Sequence, residues 1–175
     1  MGSEAARVTQ RTKLLVLAAL ALVCPSISSA QTRDPRIGHW AQQPGPRSVG
    51  MHVTYEDLGD GRFRLTLFPH YMPVSQQIVE AKCDGATYAY ADGNGKPTGN
   101  TFSCRFTGPR VVEYLFTAVN QTVWATSTGV ETVSEDGNTL TWDAIHKDRN
   151  GGVVEELHSR FSRRDDESPR NAPAR

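Results

Sequence analysis

The sequence predicts an all-β chain, an antiparallel up-and-down meander closed into a barrel of eight to ten strands. Past residue 30, apolar and polar residues alternate with the period of two that a half-buried strand requires, and helical periodicity is nearly absent. Turn signals built on Gly, Asp, Asn and Pro interrupt the chain at short, nearly regular intervals. A long meander exposes two strand edges unless its first and last strands pair, and closure removes both. An open two-sheet sandwich is the alternative.

The strands follow in order. Residues 48–55 place Val49, Met51, Val53 and Tyr55 on one face, and a turn over 56–61 ends them. Residues 62–68 direct Phe63, Leu65 and Leu67 inward, with Arg62, Arg64 and Thr66 outward. Residues 69–73 form a Pro-bounded loop of unusual apolar content, which with Phe68 makes an apolar segment over 68–73. A third strand covers 76–83, and Asp84-Gly85 turns into a fourth over 86–90. Residues 92–99 read as a loop before a strand over 101–106. Gly108-Pro109 turns into 110–117, where Val112, Tyr114 and Phe116 share a face. Asn120-Gln121 leads into a stretch over 122–133, and Asp136-Gly137 is a hairpin signal before 139–146. There Leu140, Trp142 and Ala144 point together. The turn 148–152 leads into 153–162, with Val153, Leu157 and Phe161 on one side, which brings the count to nine strands.

Length and charge bound the function. A chain of 175 residues suits one domain. Basic and acidic residues balance at 19 each, which excludes a basic nucleic-acid binder. Residues 1–30 read as a cleaved signal peptide: Arg7, Arg11 and Lys13 precede an apolar run over 14–24, and Ser28 and Ala30 stand at −3 and −1 before Gln31. That run is shorter than the roughly 20 residues a membrane helix needs. Cleavage leaves 16 basic and 18 acidic residues, a net charge of −2. No other stretch has membrane length. The mature chain is therefore expected to be exported to the periplasm or secreted, as a monomer without a membrane span. The barrel domain is assigned to 31–162, and the polar tail over 163–175 is expected to be disordered.

Cys24 leaves with the signal. Cys83 and Cys104 then permit one connectivity, and an oxidising compartment favours the disulfide over two buried thiols. Neither has a histidine or cysteine at metal-ligand spacing, and no metal or cofactor is expected.

Chemistry is sparse in the text of the chain. His39, His52, His70, His146 and His158 stand apart from one another and read as surface or loop residues, with His52 facing solvent. His146 is the exception, sharing a face with Trp142 near a strand end. No Gly-x-Ser-x-Gly motif occurs, and nothing favours a Ser/His/acid triad. The Gly-rich loop 92–99 lacks the Lys-Ser/Thr ending and following helix of a phosphate loop. Glu155 and Glu156 alternate across a strand and cannot act as a pair. Glu155 and Glu131 have inward parity. Such a carboxylate pairs with an Arg, orients a ligand, or sits wet at a strand end, and the wet placement is the expectation.

The aromatics are the best pocket candidates. Tyr114, Phe116, Trp124 and Trp142 fall on the central strands. With Met51, Val53 and Leu65, and with Glu155 as the inward polar group, they either line an apolar cavity or fill the core.

One motif suggests a relationship. Ile37-Gly38-His39-Trp40 places Gly-x-Trp at the head of the strand series, which resembles the opening of lipocalin-type (calycin-type) barrels. Over about 37–162 the chain resembles small secreted bacterial lipocalin-like proteins, a largely uncharacterised group. The shared pieces include Val53-Thr54-Tyr55-Glu56 with Gly59 and Gly61, Asp84-Gly85 with Tyr88, and Val133-Ser134 with Asp136, Gly137 and Thr139. The resemblance implies a barrel with Gly38 and Trp40 packed across its closed end, and it brings no catalytic residues. The cysteine pair and the loop 68–73 depart from it, and neither a C-terminal helix nor a helical lid is evident.

The expected function is binding of a small apolar or amphipathic molecule inside an exported lipocalin-like barrel. The alternative is a non-catalytic envelope or interaction protein with a filled barrel, acting through surface loops. An enzyme of the small-barrel kind would need a histidine and a carboxylate meeting inside the barrel.

Overall fold

Alternation along the chain produces ten strands in the computed structural model, which describes residues 33–45, 50–68, 76–119 and 123–164. They are β1 (Gly38–Gln42), β2 (His52–Gly59), β3 (Arg62–Phe68), β4 (Gln77–Lys82), β5 (Tyr88–Asp92), β6 (Pro97–Gly108), β7 (Val111–Thr117), β8 (Thr126–Val133), β9 (Thr139–Lys147) and β10 (Val153–Arg164). Each pairs antiparallel with the next, and β1 pairs with β10, so the meander closes into a barrel with no free edge. The signal segment, the loop 69–73, and the tail beyond Arg164 lie outside the described residues.

Inward alternation is as the sequence indicates on most strands. Val53, Tyr55, Phe63, Leu65, Leu140, Trp142 and Phe161 are all buried. The strand boundaries differ in places. A tenth strand, β1, supplies the closing pairs: Trp40 lies opposite Val53 on one side and Arg163 on the other. Its five residues are too few to show an alternation, and their extended form is imposed by two neighbours. Strand β6 begins at Pro97, four residues before the reading from sequence, because the Asp92 side chain gathers the turn by accepting from the amides of Asn94 and Lys96. Strand β8 begins only at Thr126, so Trp124 sits in the connection before it and not on a strand. Strand β10 reaches Arg164, two residues past the expected end.

Val153 is a further correction. A register shift between Val153 and Glu155 inserts an extra residue, and a bulge of this kind reverses parity on one side. Val153 is consequently exposed, whereas Ser159 and Phe161 are buried and Glu155 and Leu157 are intermediate.

The two ends of the barrel differ. At one end the connections are short turns, including Gly59–Arg62 and Gly108–Val111. Here Arg163 lays its guanidinium 4.3 Å over the Trp40 ring and donates to the carbonyls of Pro35, Ile37 and Gly137. Trp40 Nε1 donates to the Arg36 carbonyl at 2.7 Å. Gly38 has a φ of 141°, and a Cβ there would collide with Arg163 Nη1, so this close approach needs glycine. The Cys83–Cys104 disulfide ties the end of β4 to β6 near the same end. At the other end, longer connections join β1 to β2, β3 to β4 and β7 to β8.

Candidate functional site

Two polar clusters enter the interior, and they have opposite characters. The first plugs the closed end. Arg36 donates through Nη1 to Glu131 Oε2 at 2.7 Å and through Nη2 to Asp34 Oδ2 at 2.7 Å. It also donates to Cys83 Sγ at 3.2 Å and stacks on the rings of Tyr55 and Phe63. Tyr55 donates its hydroxyl to the second Glu131 oxygen at 2.7 Å. Burial opposes the Arg36 charge, but Glu131, Tyr55 and Asp34 outweigh it and hold the guanidinium above its ordinary pKa. Burial, reinforced by Glu131, also pushes Tyr55 well above the usual tyrosine value. Glu131 is thus buried and paired with an arginine, not wet at a strand end. Every strong donor and acceptor of this cluster is used within it, so it builds the fold and leaves nothing for a ligand.

The second cluster lies toward the opposite end, where the longer connections run. Strand register places Phe116 opposite Ser127, Ser127 opposite His146, and His146 opposite Glu155. Cross-strand neighbours on one face bring their Cβ atoms within about 5 Å, so these four form a continuous row across β7 to β10. One row deeper stand Tyr114, Gly129, Ala144 and Leu157. Gly129 leaves room for Tyr114: a Cβ there would lie 2.7 Å from the Tyr114 hydroxyl and 2.6 Å from the Asp143 carbonyl oxygen. Burial raises the Tyr114 pKa, against a hydrogen bond from Ser127 that lowers it, so Tyr114 stays a neutral phenol.

Aromatic rings close over this row. Trp124 stacks on His146 with centroids 4.6 Å apart and meets Phe116 at 5.5 Å. Below, Trp142 contacts Tyr114 and Phe161. His146 Nδ1 stands 3.4 Å from Glu155 Oε2, near enough for an ion pair when the imidazole is protonated, but not aligned for a hydrogen bond. Trp142 Nε1 is a buried donor with no hydrogen-bond partner among the described residues. A buried donor left unsatisfied costs about 1–3 kcal/mol.

The sequence-derived candidates divide accordingly. Tyr114, Phe116, Trp124, Trp142 and Glu155 fall in or beside this cluster. Met51 is half-buried, and Val53 and Leu65 are buried in the facing wall on β2 and β3. Glu155 is part-exposed and borders an open groove with Val154, Glu156 and His158. Ser127, Tyr90 and Phe102 were not singled out from sequence, although Ser127 shares inward parity with Glu131 and Val133. Arg36 carries no periodic signal at all, because it precedes the first strand. Among the described residues no group of three or more His, Cys, Asp or Glu side chains is placed to hold a metal ion. No helix among them is long and apolar enough to cross a membrane.

No protein-family model matches the chain, and a search of curated proteins returns no relative. The class rests on architecture alone. It is a closed, all-antiparallel barrel with a disulfide and an aromatic interior, an architecture consistent with calycin-type barrels in general.

Proposed function

We propose that the barrel takes up a small apolar or amphipathic molecule through its open end, in the manner of a lipocalin-like carrier. The observation that carries this reading is Trp142 Nε1, a buried donor with no hydrogen-bond partner among the described residues, set among aromatic rings. An aromatic wall gives a ligand favourable burial at about 25 cal/mol per Å² of apolar surface. A single acceptor on that ligand would satisfy the indole and fix its orientation. The closed end is sealed by Arg36 and Trp40, which leaves the opposite end as the route of entry. Export by a signal peptide cleaved after Ala30, and a monomeric state, belong to the same reading.

Native mass spectrometry of the mature chain, isolated from an oxidising compartment, tests it. One retained small molecule per chain is expected. Titration with the dye anilinonaphthalene sulfonate is expected to saturate at one site and to weaken in Trp142→Phe, which removes the indole donor and keeps an aromatic ring. A chain that carries nothing and does not bind the dye favours the interaction-protein reading.

A further inference from the structure

The outer and inner faces of β9 and β10 each carry a histidine–carboxylate pair, and only one has a serine beside it. Outside, His158 Nδ1 meets Asp143 Oδ1 at 2.8 Å, and the other cross-strand neighbour of Asp143 is Val130. Inside, Glu155 lies on one side of His146 and Ser127 on the other, across three adjacent strands, with Glu155 flanking the bulge of β10. The order is that of a nucleophile, a base and an orienting carboxylate.

The polarity of the imidazole also fits. Glu155 approaches Nδ1, which leaves Nε2 as the nitrogen able to accept a proton from the serine. The 3.4 Å separation is loose for a hydrogen bond, as such contacts often are before substrate binds. Ser127 is buried and Trp124 stacks over His146, which restricts the proposal to small acyl groups.

We propose that Ser127, His146 and Glu155 form a hydrolytic triad at the open end of the barrel, acting on small carboxylic esters. This rests on the reading that the open end admits small molecules. Ser127 Oγ attacks the ester carbonyl carbon while its proton passes to His146 Nε2. The carbon–oxygen bond to the alcohol breaks as His146 returns that proton to the departing oxygen. Water then attacks the acyl-serine, again giving its proton to His146, which restores it to Ser127 Oγ as the acid leaves. Glu155 is a positioning residue: it holds the imidazole tautomer and stabilises the transient imidazolium.

The test uses p-nitrophenyl acetate and the folded, oxidised mature chain. The expected result is a burst of p-nitrophenolate approaching one equivalent per chain, with an acetyl group on the peptide containing Ser127. Ser127→Ala is expected to lose the label, and His146→Asn to slow acylation by about a hundredfold or more. Glu155→Gln is expected to lower kcat with little change in KM and to alter the pH profile, and Glu155→Asp to recover part of the loss. His158→Asn, on the outer face, is expected to behave as wild type. Absence of acetyl on Ser127, or labelling at the wild-type rate in a folded His146→Asn chain, overturns the proposal. If the dye still binds while acylation is absent, the triad fails and the uptake reading stands. If both are absent, both fail.

Discussion

Arg36 and Glu131 meet at 2.7 Å inside the barrel, and each is almost wholly buried. The pair joins the segment preceding β1 to β8, three strands away around the barrel. Asp34 and Glu131 accept from the guanidinium, and the Tyr55 hydroxyl donates to the second Glu131 oxygen, which makes this burial of charge tolerable.

Breaking that pair on one side leaves an uncompensated charge. Glu131→Ala is expected to cost about 3–5 kcal/mol in urea unfolding. The double change Arg36→Met with Glu131→Leu should lie much closer to wild type, since both charges go together. A single variant within about 1 kcal/mol of wild type would contradict the assignment.

The Cys83–Cys104 bridge spans a sequence separation of 21. Closing a loop of this size restricts the unfolded chain by about 3 kcal/mol in the chain-entropy account. Urea unfolding with and without reductant should show a loss of that order. A Cys83→Ala/Cys104→Ala chain should no longer respond to reductant.

Gly129→Ala should displace the aromatic interior. Its Cβ would meet the Asp143 carbonyl, which is backbone and cannot swing away, as well as the Tyr114 hydroxyl. A loss of about 1–3 kcal/mol is expected. It should be accompanied by a changed near-ultraviolet circular dichroism spectrum, because Tyr114 packs against both Phe102 and Trp142. An unaltered spectrum and stability would contradict the packing described.

Alkaline pH should unfold the barrel. Burial raises the pKa of Tyr55, Tyr90 and Tyr114 in the folded chain. A raised folded value means that the unfolded chain ionises first. The stabilisation is therefore complete below about pH 10, the unfolded tyrosine value, and is lost as pH rises from there toward the folded values. Tyrosinate absorbance from these three groups should appear together with the loss of tertiary structure. Ionisation of all tyrosines near pH 10 in a chain that stays folded would contradict their burial.

Much of this fold was legible because period-two alternation is a local signal. Phe63-Arg64-Leu65 reports its own inward face, and the Asp136-Gly137 turn reports its own hairpin. Parity failed where local rules are broken: the bulge between Val153 and Glu155 turns Val153 out, and no feature of the text marks it. The site was less legible for a different reason. His146 and Glu155 each read as inward, but their meeting depends on the β9–β10 register, and Ser127 joins them only through the β8–β9 register. Arg36 was invisible because its role depends on Glu131, 95 residues away. Long-range pairing of this kind leaves no mark in either local sequence.

The most direct test of ligand uptake is the indole N–H spectrum of the mature chain, with resonances for Trp40, Trp124 and Trp142. Trp40 already donates to the Arg36 carbonyl and serves as an internal reference. On saturation with the dye or a co-purified molecule, the Trp142 resonance should move markedly while that of Trp40 stays in place. A Trp142 resonance unmoved at saturation would contradict uptake at the open end.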